Sequence, residues 1–170
     1  MAGVDIESGD VLWSRKIKAF RGMNILTPVS YNNKLFTSAH SGVAQLFSPD
    51  KSEPEWTNRS QAYMSSPLII GDHAYMHLKK QRVVCIDLKT GTTAWTSPPV
   101  GQYWSMVKQQ DKILALDERG TLHLMKATPK AFSLIESREL SRAQTWAHLA
   151  SAGDMLVIRE QNALVAYRWK

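Results

Sequence analysis

One sequence pattern occurs twice in this chain with the same spacing: an aspartate, a glycine four residues later and a tryptophan eight residues later. The two copies are Asp5, Gly9 and Trp13, and Asp87, Gly91 and Trp95. The residues before Asp87 alternate and are rich in β-branched side chains, which favours a half-buried strand. Glycine permits the positive φ that a tight turn requires, and tryptophan offers about 200 Å² of ring surface for burial. Two copies at matched spacing predict a repeat protein.

The pattern divides the chain into four repeats. Their approximate bounds are 5–47, 48–86, 87–125 and 126–170. Trp56 stands in the second repeat where Trp95 stands in the third, and Leu134 or Ile135 takes that place in the fourth. Repeats of about 40 residues with four short strands each are typical of β-propeller blades. We therefore expect an all-β propeller of four-stranded antiparallel blades over 1–170, with room for one short helix in 135–146.

The strands at the two ends of the chain are complementary. The chain opens on a strand that normally follows the turn, residues 11–14, and closes on one that normally precedes it, residues 163–167. Pairing the two would close a four-blade ring and remove an exposed sheet edge. The alternatives are two copies that form one larger ring, and a piece cut from a larger propeller. The sequence leaves all three open.

Charge and composition argue against several classes of protein. The formal net charge of +6 is spread over the four repeats as +2, +1, 0 and +3, with no basic run longer than two residues. Nucleic-acid binders concentrate their charge on one face, so we do not expect a nucleic-acid partner. No apolar run approaches 18 residues, which predicts no transmembrane span, and no signal-peptide pattern follows Met1. A single cysteine, Cys85, excludes an internal disulfide.

The Asp-x-x-Thr-Gly-x-x-x-Trp pattern from Asp87 to Trp95, with its variant from Asp5 to Trp13, resembles the tryptophan-docking motif of quinoprotein-like β-propellers. That family, built from pyrroloquinoline-quinone-type repeats, includes quinone-dependent alcohol dehydrogenases and a non-enzymatic scaffold lipoprotein of outer-membrane barrel assembly. The resemblance implies that Trp13, Trp56 and Trp95 pack between adjacent blades. It also implies a periplasmic or otherwise extracytoplasmic location.

The resemblance implies a binding function more than a catalytic one. The quinone-dependent enzymes of the family carry a pair of adjacent cysteines and carboxylate ligands to calcium, whereas this chain has one cysteine and no matching acidic set. We therefore predict no catalytic, cofactor-binding or metal-binding residues. The leading interpretation is a non-catalytic scaffold for a protein or peptide partner. The alternative is a fragment of a larger pyrroloquinoline-quinone-dependent dehydrogenase-like enzyme.

Candidate binding residues lie in the loops that precede the innermost strand of each repeat. These loops share arginine, glutamine and aromatic side chains, the types that build recognition sites, and they would gather at one end of the propeller axis. The predicted partner-binding residues are Arg21, Gln61, Tyr63, Gln102, Trp104, Arg142, Gln144 and Trp146. The alternative is that the aromatic rings fill the central channel and pack on each other.

The histidines show no arrangement typical of a metal or catalytic site. His73 and His77 bracket a predicted strand, where four residues span about 13 Å, so we expect surface or turn positions that cannot share one ion. His40, His123 and His148 are isolated in the sequence and form no recognisable catalytic triad with a carboxylate. We therefore predict that all five are structural or solvent-facing.

Overall fold

The fold is known from a computed structural model that describes residues 1–168, which form seventeen strands and one 3₁₀ turn at Phe20–Gly22. The strands are β1 (Ala2–Val4), β2 (Val11–Ser14), β3 (Val29–Tyr31), β4 (Lys34–Thr37), β5 (Ala44–Phe47), β6 (Trp56–Asn58), β7 (Leu68–Ile70), β8 (His73–His77), β9 (Val83–Asp87), β10 (Thr93–Thr96), β11 (Trp104–Gln109), β12 (Lys112–Asp117), β13 (Thr121–Lys126), β14 (Leu134–Glu139), β15 (Ala150–Ala152), β16 (Met155–Arg159) and β17 (Leu164–Arg168).

The strands form antiparallel sheets that follow the chain order. Sheets 1, 2 and 3 are the complete four-stranded sheets β3–β6, β7–β10 and β11–β14, and sheet 4 contains β15–β17. Strands β1 and β2 form a separate pair before sheet 1. The innermost strands contact each other in turn, β3 with β7 and β7 with β11. This arrangement confirms the predicted all-β propeller of four-stranded antiparallel blades.

The two ends of the described chain do not pair with each other. Strand β2 pairs with β1, so that Trp13 lies opposite Gly3, and within residues 1–168 the outer edge of β17 carries no neighbouring strand. The closed four-blade ring, which needs β2 on β17, is therefore not formed by these strands. The observed arrangement is an open series of blades.

Part of segment 135–146, where the sequence left room for a short helix, forms a strand instead. Leu134–Glu139 form β14, and residues 140–149 are irregular. Strand β13 offers a full row of backbone partners, with Thr121 opposite Glu139 and Leu124 opposite Glu136. These ladder hydrogen bonds satisfy the backbone of a segment too polar and too short to be stabilised as an isolated helix.

Each hydrophobic core layer is shared by two neighbouring sheets. The layer between sheets 1 and 2 contains Phe36, Leu46 and Met76, all essentially inaccessible to solvent. The layer between sheets 2 and 3 contains Trp104 and Ile113. A third layer, between sheets 3 and 4, is built largely from leucines and Ile158. Since burial of apolar surface is the main stabilising term, each blade depends on the next for much of its stability.

The tryptophans of the repeated pattern lie between sheets. Trp56 of β6 donates from Nε1 to the carbonyl oxygen of Leu88, in the turn that follows β9 of sheet 2, at 2.9 Å. Trp95 of β10 donates in the same way to Thr128, in the segment that follows β13 of sheet 3, at 2.8 Å. Trp13 of β2 packs edge-on against Phe47 of sheet 1, with ring centroids 6.1 Å apart. Each ring therefore reaches from an outer strand onto the following sheet.

The aspartate and glycine of the pattern shape the turn that receives the tryptophan. Asp87 Oδ1 accepts the backbone N–H groups of Lys89 and Thr90, at 2.8 and 3.1 Å. Gly91 has φ +74°, and a Cβ atom there would lie 2.5 Å from the Trp56 ring. Only glycine fits both the left-handed backbone and the close approach of the indole.

The first copy of the pattern forms the same turn. Asp5 Oδ1 accepts the backbone N–H groups of Glu7 and Ser8, both at 2.9 Å. These bonds, led by the one from Ser8, hold the pKa of the Asp5 carboxyl below its usual range. Gly9 closes the turn with φ +79°. The shared geometry accounts for the identical spacing of the two copies.

Candidate functional site

The connections between strands lie on two opposite faces of the blades. We call one the loop face: it contains loops 18–28, 59–67, 97–103 and 140–149, and turns 38–43, 78–82, 118–120 and 160–163. We call the other the turn face: it contains segments 5–10, 32–33, 48–55, 71–72, 88–92, 110–111, 127–133 and 153–154. The loops that carry the predicted binding residues are therefore all on the loop face.

Backbone hydrogen bonds fasten each loop of the loop face to a neighbouring turn. Phe20 N–H donates to His40 O at 2.8 Å, and Lys79 N–H donates to Gln61 O at 3.0 Å. Val100 N–H donates to Gln81 O at 2.8 Å. Loops that are tied in this way present their side chains on a rigid framework, which is the usual setting of a recognition surface.

Glu118 and Asp117 anchor the part of the loop face that sheet 3 supplies. The carboxylate of Glu118 accepts the backbone N–H groups of Gln102 and Tyr103, at 3.2 and 3.1 Å. Burial opposes ionisation of Asp117, but hydrogen bonds from His123 and from the backbone of its own turn outweigh burial and lower its pKa. Both acids therefore act as acceptors inside the protein rather than as free surface charges.

Two aromatic groups are exposed on the loop face. Phe20 is 45% exposed, packs against His40 at 5.3 Å and lies 5.1 Å from the Arg21 guanidinium carbon. Trp146 is 41% exposed and stacks on Tyr103, with ring centroids 5.6 Å apart. Each exposed ring rests on a buried one, His40 or Tyr103, which restricts its orientation without contact to a partner.

The predicted binding residues divide between surface and interior. Arg21, Gln102, Arg142, Gln144 and Trp146 are exposed, while Gln61 and Tyr63 are half-buried. Tyr63 packs edge-on against His40, with ring centroids 5.8 Å apart. Arg142 pairs with Glu139 at 3.0 Å on the surface.

Trp104 belongs to the interior and not to the exposed set. Its side chain is 1% exposed, and its Nε1 donates to Val100 O at 3.0 Å. The indole stacks between His77, at 6.4 Å, and His123, at 4.7 Å. Burial in this stack removes it from the residues that can contact a partner. For Trp104, and for Tyr103 beneath Trp146, the alternative interpretation that loop aromatics pack internally describes the structure.

His77 is also buried, contrary to the expectation of a surface or turn position. Its ring is inaccessible to solvent, and its Nε2 lies 3.1 Å from the carbonyl oxygen of Gly101. Burial lowers the pKa of His77, while the bond to Gly101 and the charge of Glu118 oppose that shift. The spacing on strand β8 was interpreted correctly as extended. What it could not show is that Trp104 of the next sheet covers the ring.

His123 is not isolated in the fold. Its Nε2 lies 3.0 Å from Asp117 Oδ2 and its Nδ1 lies 2.8 Å from Ser137 Oγ. The sequence spacing showed no recognisable triad for His123, whereas in the fold a carboxylate and a hydroxyl both lie within hydrogen-bond distance of its ring. The three meet because His123 and Ser137 are directly opposite on β13 and β14, a pairing that sequence separation does not reveal. Asp117 also accepts two backbone N–H groups of its turn, so this set connects a turn to an outer strand.

Comparison with known proteins places the chain in a family. The sequence profile of the outer membrane protein assembly factor BamB matches residues 1–97. The chain belongs to the BamB family. This confirms the predicted relation to propellers with pyrroloquinoline-quinone-type repeats. Among residues 1–168, no helix is long and apolar enough to cross a membrane, and no three His, Cys, Asp or Glu side chains are grouped so as to hold a metal ion.

Individual relatives support the same assignment. The chain is 27% identical over 147 residues to the outer membrane protein assembly factor BamB of Kangiella koreensis, an alignment that covers 78% of this chain and 36% of the relative. The chain thus spans about a third of that curated relative's length. The crystal structure of BamB from Moraxella catarrhalis has a TM-score of 0.78 at 16% identity, covering 97% of this chain and 50% of that one.

A designed protein shares the fold as well. The computationally designed Ika8 protein has a TM-score of 0.71 at 10% identity, covering 97% of this chain and 51% of the design. At such low identity the likeness concerns the fold alone. In both solved structures, nearly all of this chain superposes on about half of a longer one, which agrees with an open series of blades.

Proposed function

We propose that this chain is a non-catalytic propeller scaffold that binds a protein partner through its loop face. The observation that carries this proposal is the arrangement of exposed side chains there. Phe20, Arg21 and Trp146 are exposed, and each is held in place by a ring beneath or beside it. Rigid aromatic and arginine side chains dominate binding energy at protein interfaces. The BamB family match supports a binding scaffold over a dehydrogenase fragment.

The relatives indicate the class of partner. The proteins that this chain resembles are named outer membrane protein assembly factors, so we propose that the partner is a protein component of outer-membrane assembly. An extracytoplasmic location follows from the same proposal. Backbone hydrogen bonds tie the loops of the loop face to neighbouring turns before any partner binds, so association would require little ordering of the scaffold itself.

Site-specific photo-cross-linking tests the binding face. A photoreactive amino acid is placed at Gln61 or Gln144 on the loop face, or at Asn33 or Asp111 on the turn face as a matched control. We expect the loop-face positions to cross-link to one common protein in an extract of the source organism, and the turn-face positions not to. The cross-links should weaken in a Phe20→Ala/Trp146→Ala variant. Cross-links of equal strength from both faces would refute the proposal.

A spectroscopic titration tests the dehydrogenase alternative. Pyrroloquinoline quinone is added with calcium while tryptophan fluorescence is recorded. A scaffold should show only the linear attenuation produced by an absorbing additive, which free tryptophan reproduces as the control. A saturable change that free tryptophan does not show would favour the enzyme interpretation.

We also propose that the isolated chain pairs with a second copy to form a larger propeller. Support comes from the outer edge of β17, which has no neighbouring strand within residues 1–168 and can accept one, and from Leu164 on that strand, which is 74% exposed. Light scattering of the purified chain should give twice the 19.2 kDa of one copy. A Leu164→Lys variant, which places charge on this edge, should shift the mass towards one copy. A single-copy mass at all concentrations would contradict the pairing.

A further inference from the structure

We infer that the loop face accepts an acidic protein segment, an inference that rests on the binding function proposed above. It starts from the distribution of charge between the two faces. The basic residues in the loop-face segments are Lys18, Arg21, Arg59, Lys79, Lys80, Arg82, Arg119 and Arg142, and the acidic ones are Glu118 and Glu160. The loop face therefore has a strong excess of positive charge.

The segments of the turn face carry the opposite excess of charge, although cations at strand ends pair with some of their acids: Lys34 with Glu55, Lys112 with Asp111 and Arg168 with Asp154. The acidic residues of these segments are Asp5, Glu7, Asp10, Asp50, Glu53, Glu55, Asp72, Asp111 and Asp154, and the basic residues are Lys51, Lys89 and Lys130. Lys51 pairs with Glu55 at 3.0 Å, and Lys89 pairs with Asp72. Every repeat contributes segments to both faces. The net charge of each repeat is therefore small, and the sequence alone shows a diffuse charge.

The cations of the loop face are largely free to bind a partner. Lys79, Lys80 and Arg21 are exposed and make no ion pair within residues 1–168. Arg119 is 72% exposed and lies 3.5 Å from Glu118, but that carboxylate already accepts two backbone N–H groups. A face with several uncompensated cations attracts anionic partners and raises their rate of association.

A groove beside these cations offers a partner a second place to bind. It lies between sheets 2 and 3 and has a volume of about 570 Å³. Its accessible lining combines the apolar Pro98, Val100 and Phe132 with the polar Gln81, Asp117 and Arg119. Gln81 belongs to the same turn as Lys79 and Lys80, so cations border a groove whose wall is partly apolar. This combination suits a segment in which carboxylates flank one apolar side chain.

Nucleic acid is the other anionic class that a basic face could bind. The lining of the groove favours a peptide, because the prolines and Val100 offer apolar contact to a side chain, while a single arginine, Arg119, makes no row of cations along a phosphate backbone. The similarity to protein assembly factors points the same way. We therefore commit to an acidic protein segment and leave nucleic acid as an outcome of the test.

The test measures fluorescence anisotropy with three labelled probes. The first is a glutamate-rich peptide with one central phenylalanine, the second has lysine in place of every glutamate, and the third is a short DNA duplex. The binding variant is Lys79→Glu/Lys80→Glu. The control is Lys126→Glu/Lys130→Glu, which changes the net charge equally, with Lys130 in the turn face and Lys126 directly before it; all four lysines are exposed. A urea melt of each variant checks its folding.

We expect the acidic peptide to bind and the lysine peptide not to. In the binding variant, its affinity should fall at least about tenfold, a change of about 1.4 kcal/mol, while the control should stay close to the parent chain. Equal loss in both variants would overturn the inference, because net charge alone would then explain it. Tighter binding of DNA than of the acidic peptide, or equal binding of the two peptides, would also overturn it.

Failure of this inference can be separated from failure of the proposed function. If cross-links from Gln61 and Gln144 reach a protein and persist in Lys79→Glu/Lys80→Glu, the loop face binds a partner that does not depend on these cations. In that case the binding function stands and the acidic segment is refuted. If no loop-face cross-link forms with any protein, the binding function itself fails.

Discussion

The contact between sheets 1 and 2 differs from the contact between sheets 3 and 4, although both join neighbouring blades. In the first, Trp56 covers Gly91 and its Nε1 binds Leu88. In the second, the equivalent outer strand begins with Leu134, which is 48% exposed. A cavity of about 250 Å³ lies between sheets 3 and 4, lined by Leu122, Leu124, Leu156 and others.

The difference shows what the repeated tryptophan contributes. A leucine side chain cannot reach the next sheet, donate a hydrogen bond and cover a turn at once, whereas the indole does all three. Where the indole is missing, Tyr167 provides a partial replacement by donating from its hydroxyl to Leu140 O at 2.7 Å. The contact between sheets 3 and 4 is therefore held by fewer groups, and we expect it to open first.

The largest effect should come from removing an indole at the tight contact. Trp56→Ala should destabilise the chain by about 3–5 kcal/mol, because it leaves a cavity and the Leu88 carbonyl loses its partner. Leu134→Ala removes the equivalent residue of sheet 3 and should cost less than about 1 kcal/mol, because that side chain is half exposed. Urea unfolding of both variants gives the two values. Similar losses would show that the two contacts are equally strong.

A second test changes the turn that receives the indole. Gly91→Ala should cost about 3 kcal/mol, because alanine is strained at φ +74° and its Cβ would overlap the Trp56 ring. Gly71→Ala is the matched control, with φ +58° and open space around the new atom, and should cost about 1 kcal/mol. Thermal melts distinguish them. If the two substitutions cost the same, backbone strain alone explains the effect, and close packing of the indole contributes nothing.

Much of this comparison could be predicted from the sequence. The spacing of Asp87, Gly91 and Trp95 predicted the repeat, the family and the all-β propeller, because turn chemistry and a large ring at fixed intervals are local signals. The strand from Leu134 to Glu139 was predicted only in part: the repeat spacing put Leu134 or Ile135 at the tryptophan position, but room was left for a helix in 135–146, since the side chains of this strand are all exposed and show no apolar alternation. Only its pairing with β13 makes it a strand.

The candidate site was predicted less completely than the fold. The position of the four loops on one face follows from the order of strands, which the repeat pattern determines. The burial of Trp104 and His77 depends on how sheets 2 and 3 face each other, and a pattern within one strand carries no such information. The separation of charge between the faces does not show in the net charge of each repeat, because every repeat contains both basic loop-face segments and acidic turn-face segments.

Acid should weaken the contact between sheets 2 and 3, where His77 stacks on Trp104. Burial lowers the pKa of His77 in the folded chain. Below about pH 6.5, His77 therefore binds a proton more readily in the unfolded chain than in the folded one. Stability contributed by the neutral ring is complete above that pH and is lost as the pH falls. His77→Gln keeps a donor for Gly101 and cannot titrate.

We therefore expect the urea midpoint of His77→Gln to fall less than that of the parent chain between about pH 7.5 and about pH 5.5. His148→Gln, at an exposed position, serves as the control and should behave like the parent. Identical acid sensitivity in all three proteins would show that His77 does not make the contact between sheets 2 and 3 acid-labile.

The smallest effect should be a gain of stability at the loose contact. Leu124 is half-buried and lines the cavity between sheets 3 and 4, so Leu124→Phe adds apolar atoms where space exists and should stabilise the chain by about 0.5–1 kcal/mol. Ile86→Phe, in the filled layer between sheets 1 and 2, is the contrast and should destabilise by about 1–3 kcal/mol through overpacking. Urea midpoints give both signs. Loss of stability in Leu124→Phe would mean that the space between sheets 3 and 4 cannot accept a ring, and that the two contacts differ in chemistry but not in how closely they are packed.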